Sequence, residues 1–231
     1  MQFRNLCQFA ASVFMVGVLV LASACKKDTT AAAASTKCDY APYAAGSKFV
    51  FSTTGTLTAT DTITGDTTIS GVKYAKVRST GQGSAGSAST STAFVRCDAN
   101  GIYTLLDKAQ LGGTAITNFT AKEIQSIKLP AAVGTTWKSD TIKYTANGAN
   151  VAILYKMTET AVGGTKTVNG TAYSNGLVTV QIRAFTTTSF SGISITDSSI
   201  VASSVIDKTY GVIESSSNGV VNKSLKSSII K

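Results

Sequence analysis

The chain has 231 residues, 43% of them hydrophobic, which is enough for a packed core and excludes wholesale disorder. Charged residues make up only 14%, and Ser, Thr, Gly and Ala take their place; this mixture disfavours long helices and suits short strands joined by turns. The formal net charge is +9, yet the lysines are scattered, which argues against nucleic acid as a partner.

The N-terminus reads as an export signal. Arg4 is the one charge before Lys26, and between them Phe9–Leu21 forms an apolar stretch. That stretch is shorter than the roughly 20 residues a membrane-spanning helix needs, and it fits a signal-peptide core. The following Leu21-Ala22-Ser23-Ala24-Cys25 resembles the bacterial lipobox, in which small side chains precede a lipidated cysteine. Ala22 departs from it, because the lipobox prefers leucine there; an ordinary secretory signal is the alternative. The run Cys25-Lys26-Lys27-Asp28 is similar to the mature start of Bacteroidota-type lipoproteins. The resemblance implies residues 1–24 as a signal peptide, lipid on Cys25 and a partner in the membrane itself. A cysteine carrying several acyl chains is held stably, since each buried CH₂ contributes about 0.8 kcal/mol. Residues 25–37, polar and alanine-rich, read as a flexible tether with a reach of roughly 20 Å.

Residues 38–231 read as a single β-rich domain. Alternation of apolar and polar residues predicts strands at Lys48–Thr54, Val72–Arg78, Thr92–Cys97, Val151–Met157, Val178–Ala184 and Val212–Ser216. Turn signals punctuate them, above all Asn147-Gly148, Asn169-Gly170, Asn175-Gly176 and Asn218-Gly219, because both residues of an Asn-Gly pair accept positive φ. Gly81–Ser91 reads as a flexible loop, and Leu105–Leu111 and Ala121–Ile127 are the candidate places for a minor helix. The expected fold is all-β, an antiparallel curled sheet or barrel-like domain. Of the four cysteines, Cys7 leaves with the signal and Cys25 is committed to lipid. Cys38 and Cys97 remain, able to pair in an oxidising compartment or to stay free.

The domain repeats itself. Both prolines open one phrase: Pro42 to Phe49 matches Pro130 to Trp137 as P-x-x-x-G-[ST]-x-[FW]. Thr68 to Tyr74 then matches Thr167 to Tyr173, and Asn100-Gly101-Ile102 more weakly matches Tyr210-Gly211-Val212. Order is kept, which favours an internal duplication with halves 40–125 and 126–231. The phrases at Tyr43–Phe51, Leu129–Trp137, Val168–Tyr173 and Lys208–Ile213 resemble a family of uncharacterised Bacteroidota-type envelope lipoproteins with repeated strand openings of this kind. Phe49 replaces that family's first tryptophan and Ile213 its last glycine. The resemblance implies turn glycines and one buried aromatic per strand, and it brings no catalytic residue.

The absence of histidine removes Ser-His-Asp and Cys-His catalysis and histidine-ligated zinc. Ser70-Gly71-Val72-Lys73 fits the text of serine–lysine enzymes but stands at a turn rather than on a helix. Asp61 to Asp66 offers too few oxygens for calcium and reads as a turn. A carboxylate pair such as Glu159 with Asp207 is not selected by any spacing. No catalytic residue, metal or cofactor is therefore expected. Asp-Thr steps resembling the O-glycosylation sequon of Bacteroidota-type envelope proteins mark Thr29, Thr62, Thr67 and Thr141, with local turn formation as the competing role. Phe49, Tyr74, Trp137 and Tyr173 are the candidate ligand-contact aromatics, with core packing beside turn glycines as their competing role. The expected protein is an outer-membrane envelope lipoprotein whose β domain binds a glycan, a lipid or another envelope component without catalysis. A structural or lipid-carrier role and an atypical hydrolase are the alternatives.

Overall fold

The computed structural model describes residues 37–53, 57–82, 88–108, 111 and 116–231. Cys25, Thr29 and the signal peptide lie outside the described residues. A short pair, β1 (Lys37–Cys38) and β2 (Ala41–Pro42), precedes the first meander: β3 (Lys48–Thr53), β4 (Thr58–Ile69), β5 (Val72–Gln82), β6 (Ala88–Asp98) and β7 (Gly101–Leu106). After β8 (Ile116–Thr117) and β9 (Lys122–Lys128) come β10 (Thr136–Lys138), β11 (Ile142–Ala146) and β12 (Ala149–Val162). The small hairpin β13 (Lys166–Val168) and β14 (Thr171–Tyr173) leads to β15 (Val178–Phe190), β16 (Ile193–Asp207), β17 (Gly211–Ser217) and β18 (Val220–Ile229).

Fourteen strands form one antiparallel sheet in the order β8-β11-β12-β15-β16-β17-β18-β3-β4-β5-β6-β7-β9, with β10 also on β12. Among the described residues the ladder ends at β8 and β9 and does not close. Curvature comes from register shifts on six strand pairs besides the β7–β9 pair, including those after Glu159, Ile182, Leu225 and Ile63. Each adds a local bend and extra twist. The result is a main core packed from strands far apart in the sheet, Phe49 and Phe51 of β3, Ile63 of β4, Val95 of β6, Ile127 of β9, Met157 of β12, Val180 of β15 and Leu225 of β18, with a smaller cluster of Ile142, Ile153 and Ala184 beside it. The period-two pattern explains this directly, since Val178, Val180 and Ala184 all face inward from β15.

The two halves run as matching meanders, β3-β4-β5-β6-β7-β9 and β11-β12-β15-β16-β17-β18. Their openings carry the same hydrogen bonds. Gly46 N–H donates to Ile63 O (2.9 Å), Ser47 N–H to Ala44 O (3.0 Å) and Ile63 N–H to Ser47 O (2.9 Å). In the second half Gly134 donates to Glu159 O (2.8 Å), Thr135 to Ala132 O (3.0 Å) and Glu159 to Thr135 O (2.9 Å). The hairpin tips match as well: Ser70 and Gly71 have φ of 50° and 79°, Asn169 and Gly170 47° and 81°, as a two-residue hairpin turn requires. The halves meet at two seams. At one, β18 pairs with β3 from Lys223 opposite Thr53 to Ile229 opposite Lys48. At the other, β9 and β10 are bridged by the Trp137 indole N–H, which donates to Gln125 O at 2.8 Å. A disulfide joins Cys38 to Cys97, tying β1 to the inner face of β6.

Four local expectations change. Leu105 and Leu106, which open the candidate helix Leu105–Leu111, are the end of β7. Ala121–Ile127 is not helical: Lys122–Lys128 is β9, because Ile124 and Ile127 turn to the core while Glu123 and Gln125 turn away. The expected loop at Gly81–Ser91 is strand at both ends, with β5 reaching Gln82 and β6 starting at Ala88. Asp61–Asp66 is not a turn but the middle of β4, where the bulge at Gly65 absorbs the glycine.

Trp137→Phe keeps a ring in the core and deletes the donor across the β9–β10 seam. We expect it to lower unfolding stability by about 1 kcal/mol, measured as a fall in the urea midpoint followed by circular dichroism.

Candidate functional site

The inner face is not wholly filled where the two halves meet at the β18–β3 pairing. Among β3 to β7 and β16 to β18 lies a cavity of about 310 Å³. Phe49, Phe51, Val77 and Val95 supply its apolar wall. Among the described residues, the only charged side chains lining it are Asp61 and Lys223.

Their placement follows from register. Asp61 stands on β4 opposite Phe49 of β3 and Ser79 of β5. Lys223 stands on β18 opposite Thr53, so its side chain crosses β3 to reach Asp61. The Lys223 ammonium donates to Asp61 Oδ2 at 2.6 Å, and the Ser79 hydroxyl donates to Oδ1 at 2.7 Å. Lys223 Nζ also lies 4.0 Å from the centre of the Phe51 ring, a cation–π contact. The side chains are 16% and 28% exposed for Asp61 and Lys223, so the pair is largely withdrawn from water while one side still opens to it. Tyr43 packs edge-on against Phe49, its ring centre 6.3 Å away. Burial, reinforced by the charge of Asp61, pushes the Tyr43 phenol up to about 12. Tyr43 thus stays a neutral O–H group over the whole physiological range.

The internal repeat makes this polar centre informative. Since Ile63 and Glu159 occupy equivalent places, Asp61 corresponds to Met157, opposite Trp137, just as Asp61 is opposite Phe49. Ser79 then corresponds to Ile182, the cross-strand neighbour of Met157. Met157 is fully buried and Ile182 packs against the core. The same backbone is therefore satisfied by two apolar side chains, and the fold does not demand an acid and a hydroxyl in the first half.

The aromatics singled out from sequence are spread over the domain. Phe49 lines the cavity. Trp137 is 9% exposed, in the core at the second seam. Tyr173 is buried edge-on to Tyr210, with ring centres 5.5 Å apart. Tyr74 lies on the opposite face of the sheet from Ala75 and Val77, in a charged cluster. There Arg96 grips both oxygens of Glu123 at 2.6 Å and reaches Asp98 Oδ2 at 2.9 Å, Tyr74 donates to Glu123 Oε1 at 2.7 Å, and the guanidinium lies 4.0 Å from the Tyr103 ring centre. Partial burial raises the Glu123 pKa, but the hydrogen bonds from Arg96 and Tyr74 outweigh it and hold the carboxyl below its ordinary value. The cluster is saturated with its own partners and knits β5, β6, β7 and β9.

Thr62 and Thr67 stand on β4, half-buried, and Thr141 is exposed just before β11. Glu159 and Asp207 are both buried, and each serves a turn: Glu159 Oε2 accepts the Ala132 N–H at 2.7 Å, and Asp207 Oδ1 accepts the Thr209 and Tyr210 N–H groups at 2.7 and 3.1 Å. Sequence reasoning did not pick out Lys223, Ser79 or the role of Asp61. Lys223 lies 162 residues from Asp61, and only the β18–β3 pairing brings them together.

No known family profile matches the chain, and no curated protein matches it in sequence. Among solved structures the chain is similar to a candidate lipoprotein from Parabacteroides distasonis, with a TM-score of 0.55 and 12% identity over 84% of this chain and 100% of the other. It also matches a candidate exported protein with a YmcC-like fold from Bacteroides fragilis, with a TM-score of 0.47 and 10% identity over the same shares. At these identities the likeness is one of fold.

Asp61→Asn leaves the Lys223 ammonium half-buried without its counter-charge, which costs about 2 kcal/mol. The triple variant Asp61→Met, Ser79→Ile, Lys223→Leu instead copies the apolar pairing of the second half and removes the orphaned charge. Urea unfolding should place Asp61→Asn below the parent chain and the triple variant level with it or above.

Proposed function

We propose that the protein is an outer-membrane envelope lipoprotein, held by acyl chains on Cys25, whose β domain binds a small ligand in the cavity around Asp61 and Lys223 without catalysing a reaction. The anchor rests on the lipobox-like Leu21–Cys25 and the lysine pair that follows it. The fold shared with a candidate lipoprotein is in keeping with that compartment, as is the Cys38–Cys97 disulfide, which suits an oxidising environment.

The observation that carries the binding role is the polar pair in the lumen. An acid and a hydroxyl stand where the equivalent half packs Met157 and Ile182, beside a cavity whose volume falls at the small end of known ligand sites. A lipid-carrier reading fits less well, because an acyl chain would press methylene groups against a carboxylate and an ammonium and strip their remaining solvation. The non-catalytic reading is supported by the lack of histidine, which leaves Ser79 and the other lining hydroxyls without an imidazole base.

Two measurements test the two parts. Membrane fractionation of cells should move the Cys25→Ala chain from the membrane to the soluble fraction; retention in the membrane sinks the anchor. A broad fragment library screened by ligand-observed NMR should give hits on the full-length protein that disappear in the triple lumen variant. Hits indifferent to that variant would move the binding site elsewhere.

A further inference from the structure

We infer that the cavity around Asp61 and Lys223 is built for an uncharged, hydroxyl-rich ring, a mono- or disaccharide. This rests on reading the lumen as a ligand site and adds the chemistry of what enters it.

The first argument is charge. The site holds one carboxylate and one ammonium bonded to each other at 2.6 Å, so its net charge is close to zero. An anionic ligand would add a second negative charge beside Asp61, and a cationic one a second positive charge beside Lys223. Either leaves a partly buried charge in excess of its partner, which is costly. An uncharged O–H group adds no charge. It can accept from the ammonium, which has three N–H donors, while donating to a carboxylate, whose oxygens have lone pairs beyond those already used.

The second argument is the kind of polar group. Apart from the ion pair, the polar side chains lining the cavity are all hydroxyls: Ser79, Thr104, Ser204, Ser215 and the phenols of Tyr43 and Tyr210. Ser79 donates to Asp61, Ser215 donates to Asn222 and Thr104 shares a bond with Ser126, each oxygen keeping a lone pair to accept with; groups that donate and accept in this way match a ligand whose own groups do the same around its edge. The apolar wall supplies the complementary surface. Phe49, Val77, Val95 and Val212 offer carbon-rich patches against which the C–H face of a sugar ring packs. A site of about 310 Å³ has room for one ring or two and not for a long oligomer wholly enclosed.

The third argument is the repeat. Had the fold needed Asp61 and Ser79 for stability, the second half would need their counterparts, and it has Met157 and Ile182 instead.

The test uses the full-length protein in detergent, with saturation-transfer NMR and calorimetry. Glucose, galactose, N-acetylglucosamine and maltose are the neutral probes; glucuronate and glucosamine are their charged counterparts. At least one neutral sugar should bind with a Kd in the millimolar range or tighter. Its charged counterparts should bind at least tenfold more weakly, and the triple variant, still folded by circular dichroism, should lose the signal. Phe49→Leu, which keeps an apolar wall and both charges, should weaken binding by less than the triple variant does. Tighter binding of glucuronate or glucosamine overturns the neutral-ligand inference. If that charged binding also vanishes in the triple variant, the lumen stands as a site and only its ligand class is wrong. Binding of none of the neutral sugars overturns the saccharide inference, and fragment hits that vanish in the triple variant would then show that the lumen reading survives it. A sugar that binds the triple variant as well as the parent overturns both.

Discussion

The pairing of β18 with β3 is the contact on which the rest of the domain depends. It joins the last strand to the first strand of the large sheet, Ile229 to Lys48 and Lys223 to Thr53, and so turns two six-strand meanders into one curled wall. Without it Leu225 would not reach Phe51 in the core, and Lys223 would have no path over β3 to Asp61. The register matters as much as the pairing, because a slip of one residue would turn Lys223 to the outer face and Leu225 away from the core. The irregularity between Leu225 and Ser227 lets both the buried leucine and the later pairs fall correctly.

The halves share a backbone and divide the chemistry. At the position next to each opening turn, the first half buries Ile63 and the second buries Glu159; two residues earlier the assignment reverses, with Asp61 in the first and Met157 in the second. Glu159 uses one oxygen to cap the turn at Ala132, and among the described residues its other oxygen has no hydrogen-bond partner. Asp61 accepts one hydrogen bond on each oxygen, from Ser79 and from Lys223, and faces a cavity. The buried acid of the second half therefore serves the backbone, while the acid of the first half serves an open space. The two seams differ in the same spirit: one is a strand ladder, and the other is bridged by an indole hydrogen bond between β10 and β9.

Much of the architecture was legible because its cause is local. Val178, Val180, Ile182 and Ala184 alternate on one strand, and Asn-Gly pairs at 147, 169 and 218 can adopt the positive φ of a tight turn, as all three do. The Pro-to-aromatic phrases marked the two openings, whose hydrogen bonds repeat one for one. What was not legible lies in long-range register and in polar strands. β4 reads TATDTITGDTTI, with Ile63 as its one deeply buried large side chain, so its threonines and aspartates suggested turns until its neighbours β3 and β5 are in place. β9 was ambiguous because Ile124 and Ile127 are three apart, a helical spacing that here arises from the shift between Ile102 and Tyr103 on its partner β7. The candidate site was hidden for the same reason. Asp61, Ser79 and Lys223 come from three strands and carry no spacing in the sequence that binds them together.

The order of the strands in the sheet also bears on how the domain comes into being. A chain made from its N-terminus lays down β3 early, yet that strand's second neighbour is the last one synthesised. For as long as Val220–Ile229 is missing, one flank of β3 presents bare peptide groups and the aromatic surface of Phe49 and Phe51. An incomplete chain thus lacks the Asp61–Lys223 pair and is prone to pair with a stranger's strand, so a chaperone that shields that flank until β18 arrives would protect the protein when it is most vulnerable.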